Sequence, residues 1–473
     1  MSLFGFNPLP ALPYSPYRCA TEGEFLAERR EVNDMFLCHN MDRRVMCSLW
    51  IVLRRVIVIM LFIVAMPSEL FAVDVDDTMN GIFDSRFKTL QVKLEGNDYV
   101  PPVITLGSDD RVIISFDELT EEHSYLRYSL VHCNANWQPS GLVDSEFVDG
   151  FNLGDVENYE YSQLTKVHYV HYSIALPNDE VCFTVSGNYL LRVFPENDPE
   201  TTVLQARFMV SEARVGVVAN VTSRTDVDYN DAHQQLSLEV DASKLNVQDM
   251  YNDLKIVVSQ NSRIDNEVVV DKPLRVSMNK AYYEHLTPLI FKAGNEYRRM
   301  ETVSVNYPGM GVERIQYVDP YYNMWLRNDQ LRSTEQYLYD QTQYGRFTIR
   351  EYNSSQSDIE ADYVMTHFSL DLPEQSQYGI FLDGDFTHRR FDPESRMVFN
   401  RATGKYEKSL LLKQGAYNYQ YLAVPVGAMA GFTAPIEGDF HETVNEYLVK
   451  VYYHRPGERY DRLVGVALLY SGK

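Results

Sequence analysis

The chain has 473 residues and a formal net charge of −23. Its first 72 residues carry seven basic and seven acidic side chains, so the excess of negative charge lies wholly after Ala72. That balance argues against nucleic acid or anionic lipid as a partner, and a remainder of about 400 residues can bury two or three ordinary cores.

The first element in chain order is an address. Arg54 and Arg55 precede the apolar run Val56–Met66, a polar break follows, and small Ala72 ends the segment. This is the layout of a secretory signal peptide. The run is short of the roughly 20 residues a bilayer crossing needs, so a retained anchor is the weaker reading. Cleavage near Ala72 is expected, with a mature chain beginning near Val73 outside the cytoplasm. Residues 1–40 look unlike the rest and read as a misassigned start, with Met41 or Met46 as the real one. Residues 1–72 are therefore expected to form no domain.

After that the sequence reads as short strands broken by turns. Arg111–Asp117, Tyr125–Cys133, His168–Leu176, Tyr189–Phe194 and Ala206–Val210 make a first block, about 85–212. Leu236–Val240, Leu254–Gln260, Glu267–Val270, Leu289–Phe291, Val303–Tyr307 and Ile315–Val318 make a second, 213–345. Asp362–Leu372, Gly379–Gly384, Met397–Asn400, Lys405–Leu412, Tyr417–Leu422, Glu446–Tyr453 and Leu463–Leu469 make a third, 346–473. Strands at this spacing, rich in Val, Tyr and Phe, predict an all-β chain of tandem antiparallel, immunoglobulin-like β-sandwiches. No internal repeat or long flexible linker separates the blocks, so the domains are expected to touch.

Candidates for chemistry are few. His168 and His171 resemble a metal pair, but on a strand positions i and i+3 face opposite sides. His132 and Cys133 suggest a base beside a thiol, yet adjacent strand residues also point apart. Asp383-Gly384-Asp385 and Glu437-Gly438-Asp439 are acidic turns without a ladder of calcium ligands, and turn chemistry accounts for both. No phosphate loop, nucleophile elbow or zinc spacing is present, so neither enzyme activity, cofactor nor metal is expected. Beyond Ala72 only Cys133 and Cys182 remain. They could pair in an oxidising compartment; two separate buried thiols are the expected arrangement. Tyr317, Tyr321, Tyr322 and Trp325, grouped around Asp319-Pro320, are the candidate partner interface, because aromatic rings are favoured there. Packing between domains or in a core is the alternative.

A set of motifs in fixed order gives the chain a resemblance. They are Ile113–Leu119 (IISFDEL), Val131–Ser140 (VHCNANWQPS), Val148–Phe151 (VDGF), Tyr169–Tyr172 (YVHY), Ser186–Leu191 (SGNYLL) and Ala206–Phe208 (ARF). Further on come Ser259–Asn261 (SQN), Gly294–Arg298 (GNEYR), Ala361–Val364 (ADYV), Leu412–Gly415 (LKQG), Glu437–Tyr447 (EGDFHETVNEY) and Arg459–Gly465 (RYDRLVG). Together they resemble the plug protein family of the Bacteroidota type IX secretion system, over about 85–470. The resemblance implies a periplasmic protein that binds the very large outer-membrane translocon barrel and closes its periplasmic opening when idle. An exported glycan-binding β-sandwich protein and a surface-adhesion rod are the alternatives.

Overall fold

The structure, a computed structural model, describes residues 78–472. The expected signal peptide and misassigned start, residues 1–72, lie outside the described residues.

Alternation decides the local structure. In Leu126–Cys133, Leu126, Tyr128 and Leu130 are buried while Arg127, Ser129 and Val131 are only half-buried. Val170–Leu176 alternates the same way along its whole length. This period of two belongs to a strand with one face on a core. Among the described residues α-helix is confined to two four-residue turns, Asp144–Phe147 and Ser357–Glu360.

The strands build three sandwiches. In the first, Leu126–Cys133, Gly187–Pro195 and Leu204–Ser211 form one sheet. Phe87–Leu94, Val112–Glu118 and Val170–Leu176 form the facing sheet, and Phe116, Tyr172, Tyr189 and Phe208 fill the space between. In the second, Gly216–Thr222, His233–Asp241 and Lys280–Tyr283 face a sheet built on Leu254–Gln260. In the third, Val312–Val318, Tyr321–Leu326, Tyr363–Leu370 and Lys405–Lys413 face the sheet organised by Gly415–Pro425.

The expected boundaries need correction. Leu254–Gln260 of the second sandwich pairs antiparallel with Glu446–Tyr453, which pairs in turn with Arg462–Tyr470. Tyr447, Val449 and Val451 therefore sit in the core with Leu236, Ile256 and Tyr283. Conversely Arg298–Glu301, Val312–Val318 and Tyr321–Leu326 belong to the third sandwich. The third domain is thus an excursion from the second, and no cut at 345/346 separates them. Val303–Tyr307 is no strand: after Arg298–Glu301 the chain loops back until Glu301 N donates to Met310 O. Nor is every pairing antiparallel. Val103–Thr105 runs parallel to Leu204–Ser211, and Tyr321–Leu326 runs parallel to Tyr363–Leu370.

Three polar joints lock the sandwiches together, and several of the motifs contribute residues to them. At the first, Asp117 is fully buried. Its Oδ2 accepts from Lys413 Nζ at 2.6 Å and from the Tyr363 hydroxyl at 2.6 Å, and its Oδ1 faces His171 Nδ1 at 2.7 Å. The Tyr169 hydroxyl donates to Ala361 O at 2.9 Å, and the amides of Lys166 and Val167 donate to Asp362. At the second joint, Asp461 accepts from Ala135 N while its own amide donates to Asn134 Oδ1. Asn188 links Asn134 O to the Tyr452 hydroxyl, at 2.8 and 2.7 Å. At the third, the Arg346 guanidinium grips both oxygens of Glu446, at 2.6 and 3.1 Å, and Arg263 donates to Gly431 O. Polar groups this deep are tolerated because each is paired; left unpaired they would be costly.

Candidate interaction surface

The segment with Tyr317, Tyr321, Tyr322 and Trp325 is a β-hairpin. Val312–Val318 and Tyr321–Leu326 pair antiparallel, with Asp319-Pro320 at the tip. Alternation sorts the four rings. Tyr322, Met324 and Leu326 point inward: Met324 and Leu326 are in the core and Tyr322 packs against it. Tyr317 stands opposite Tyr322 in register, ring centroids 5.0 Å apart at 62°. It is nevertheless 46% exposed, and its hydroxyl donates to Asp319 Oδ1 at 3.0 Å.

Trp325 and Tyr321 lie on the outer face, so the four rings are not one cluster. Trp325 lies flat on His367 of the neighbouring strand, centroids 4.7 Å apart at 17°. The Arg314 guanidinium sits 3.8 Å from the Trp325 ring centroid, a cation–π contact. His367 is fixed at both nitrogens. Asn323 Nδ2 donates to Tyr321 O, which aims Asn323 Oδ1 at His367 Nε2, 2.8 Å away. His367 Nε2–H therefore donates to Asn323, and Nδ1 accepts from the Ser409 hydroxyl at 2.7 Å. Burial, helped by the Arg314 charge, holds His367 below the usual histidine range. The imidazole is neutral at physiological pH and serves as a flat support for the indole. A shallow groove beside it is lined by Arg314, Trp325, His367, Lys405, Glu407 and Ser409.

The other sequence candidates are structural. His171 faces Asp117, whereas His168 is exposed, so the two do not converge. His132 is held by Ser140 Oγ at 2.8 Å and Ser186 O at 3.1 Å, while Cys133 lies on the far side among Trp137, Leu190 and Met209. Cys133 is buried but Cys182 is exposed, which corrects the expectation of two buried thiols; no disulfide joins them.

The acidic turns are more than turns. Asp383 is buried and accepts from Tyr297, Gln420 and Arg389. Glu437 is buried between Arg298 and Arg332 and also accepts from Tyr421 N. Burial pushes the Glu437 carboxyl up, but the two guanidiniums outweigh it and hold it below the usual range. Gly438 beside it has φ +85, and a side chain there would strike the Phe440 ring. No local signal announces these anchors, since Arg298 lies 139 residues from Glu437.

Comparison with known proteins accords with this architecture. Residues 87–212, the first sandwich, match the family described as Type 9 secretion system plug protein 1st domain. The crystal structure of a hypothetical protein from Parabacteroides merdae ATCC 43184 is 41% identical, covers 83% of this chain and 99% of its own, and superposes with a TM-score of 0.82. A DNA-bound alkylpurine DNA glycosylase from Pseudomonas fluorescens, 9% identical, covers 26% of this chain and 30% of its own with a TM-score of 0.15, too low to carry any argument. No curated protein matches. By its first sandwich the chain belongs to the type IX secretion system plug protein family, and the solved relative shares its fold over most of the chain.

Proposed function

We propose that this protein is a non-enzymatic periplasmic plug that binds the outer-membrane translocon barrel of the type IX secretion system and seals it. Family membership supports a place in type IX secretion at the outer membrane. The observation that carries the finer reading is the set of three buried polar joints. A closure over a wide aqueous opening must resist deformation, and paired, buried polar groups between the three sandwiches favour such stiffness. The partner contact has to be large; specific interfaces exceed about 1,000 Å². Their energy concentrates in aromatic and arginine anchors, which fits the Tyr317–Trp325 hairpin as one contact. Export requires the segment ending near Ala72 to be removed.

Affinity purification of the tagged protein from envelope membranes tests the reading. The translocon barrel should co-purify, the N-terminus should read near Val73, and a deletion strain should become sensitive to large antibiotics. Normal resistance in that strain, with no barrel recovered, would remove the plug reading.

A further inference from the structure

One margin of the first sandwich carries a second aromatic surface. It is formed by the edge strand Tyr159–Tyr161 and by the turn that leaves Val112–Glu118. His123 lies flat on Tyr159, centroids 4.4 Å apart at 11°. Tyr125 meets His123 edge-on at 4.9 Å, and Tyr161 stands against Tyr159 at 5.9 Å and 89°. The Tyr161 hydroxyl is 3.2 Å from His123 Nδ1. Tyr125 is 71% exposed and Tyr161 47%. Grouped aromatic exposure of this kind marks an interaction site rather than scattered surface residues.

The cluster is anchored from behind. Tyr159 leans on Tyr172 at 6.1 Å, and Tyr172 stacks on Phe116 at 5.3 Å in the core. The Tyr172 hydroxyl donates to the buried Glu118 carboxylate, which also accepts from Ser124 Oγ. The surface rings are thus positioned before a partner arrives, which lowers the ordering cost of binding.

Charge indicates what that partner presents. From Tyr128 to Thr165 the chain has six carboxylates and neither Lys nor Arg. Glu121, Glu122 and Glu157 flank the ring-bearing segments, are exposed, and form no ion pair among the described residues. Tyrosine faces attract cations, and carboxylates beside them strengthen the field. Guanidinium suits the site better than ammonium, being planar, stacking on rings and less strongly hydrated. Tyr159–Tyr161 is paired on one side only, with Val170–Leu176, so an extended chain can lie along its other side.

We infer that the His123–Tyr125–Tyr159–Tyr161 margin docks an extended, arginine-bearing segment of a partner protein. The inference does not depend on the translocon reading, and its test contains no barrel. A labelled Arg-Gly repeat peptide is titrated with the protein purified from the envelope, at about 0.15 M salt where loose surface attraction is screened, and followed by fluorescence anisotropy. A Lys-Gly repeat of the same length is the comparison. The Arg-Gly peptide should bind more tightly, and Tyr125→Ala with Tyr161→Ala should weaken it about tenfold. Glu121→Gln with Glu122→Gln should weaken it and reduce its salt dependence. Circular dichroism confirms the fold of each variant; should the double alanine variant unfold, Tyr125→Ala alone gives the same reading, because that ring is mostly in solvent. No binding of the Arg-Gly peptide, or equal binding by wild type and variants, would overturn the assignment; equal binding would mean attraction to the acidic chain at large.

Discussion

Lys413 of the third sandwich places its ammonium 2.6 Å from Asp117 Oδ2 of the first, and the two side chains are 1% and 0% exposed. Burial lowers Lys413 from the usual lysine range, and Asp117 opposes that shift. Burial also pushes the Asp117 carboxyl up, but Lys413 and His171 outweigh it and hold it below its usual range. Two further hydrogen bonds complete the shell, one from the Tyr363 hydroxyl to Asp117 and one from Lys413 to Asp358 O.

Breaking this pair on one side should cost more than removing it whole. Lys413→Met leaves a buried carboxylate without its cation, worth about 3–5 kcal/mol of stability. Adding Asp117→Asn should restore part of that loss. Urea unfolding of both variants measures the difference, and limited proteolysis should cut near the first joint sooner in the single variant. Equal midpoints for wild type and Lys413→Met would show that the joint bears little load.

Stability should fall with acid through His132. Burial pulls this histidine from 6.5 down to about 4, against smaller opposing effects of Ser186 O and Asp461. Between those two values the unfolded chain takes up a proton that the folded chain refuses. Folding is therefore unaffected by this group above that window and progressively disfavoured as pH falls through it. The loss is about 3 kcal/mol by pH 4. Thermal unfolding across this range should show the slope, and His132→Gln should flatten it. A slope unchanged in the variant would place the acid sensitivity elsewhere.

The two cysteines among the described residues should separate by reactivity. Cys182 is exposed and Cys133 buried, so a maleimide added to the native protein should label Cys182 alone. Cys133 should react only after denaturation. Cys182→Ser should shift stability by less than about 0.5 kcal/mol, while Cys133→Ser puts a hydroxyl into an apolar cluster and should cost about 1–3 kcal/mol. Mass spectrometry of labelled peptides and a melting curve decide both points.

On the hairpin, exposed and core-packed rings should behave differently. Tyr317→Ala with Tyr321→Ala should leave the fold intact and weaken capture by the translocon barrel about tenfold in pull-down titrations. Tyr322→Ala, which removes a ring packed on the core, should instead destabilise by about 2 kcal/mol. Undiminished capture by the Tyr317/Tyr321 variant would take the hairpin off the contact surface.

Much of this was legible from residue order. Leu254–Gln260 and Glu446–Tyr453 carry the bounds the alternation predicts. Their pairing with each other was not legible, because contacts between distant segments leave no local period. The same limit hides the joints: Asp117, His171, Tyr363 and Lys413 sit in four separate motifs, and only the fold shows why those motifs hold polar residues. Phe87–Leu94 contains an irregularity between Lys88 and Gln91, with Thr89 at φ +56, which blurs its period. Val303–Tyr307 alternates convincingly, yet Thr302 is tied to Gly415 and the chain turns away. Around Pro320 the order of rings was visible, and their division between two faces follows from the strand period once the tip is placed.

The hairpin Glu446–Tyr453/Arg462–Tyr470 also has a consequence for biosynthesis. Leu254–Gln260 leaves the ribosome nearly 200 residues before the strand it must pair with, Glu446–Tyr453. The second sandwich therefore cannot close while the chain is still growing, and Leu254–Gln260 keeps an open edge until the last residues arrive. A product truncated before residue 446 lacks two strands of that sheet and presents proteases with an unfinished core. Closure of the second sandwich thus waits on synthesis of the whole third one, which the chain inserts between the two paired strands.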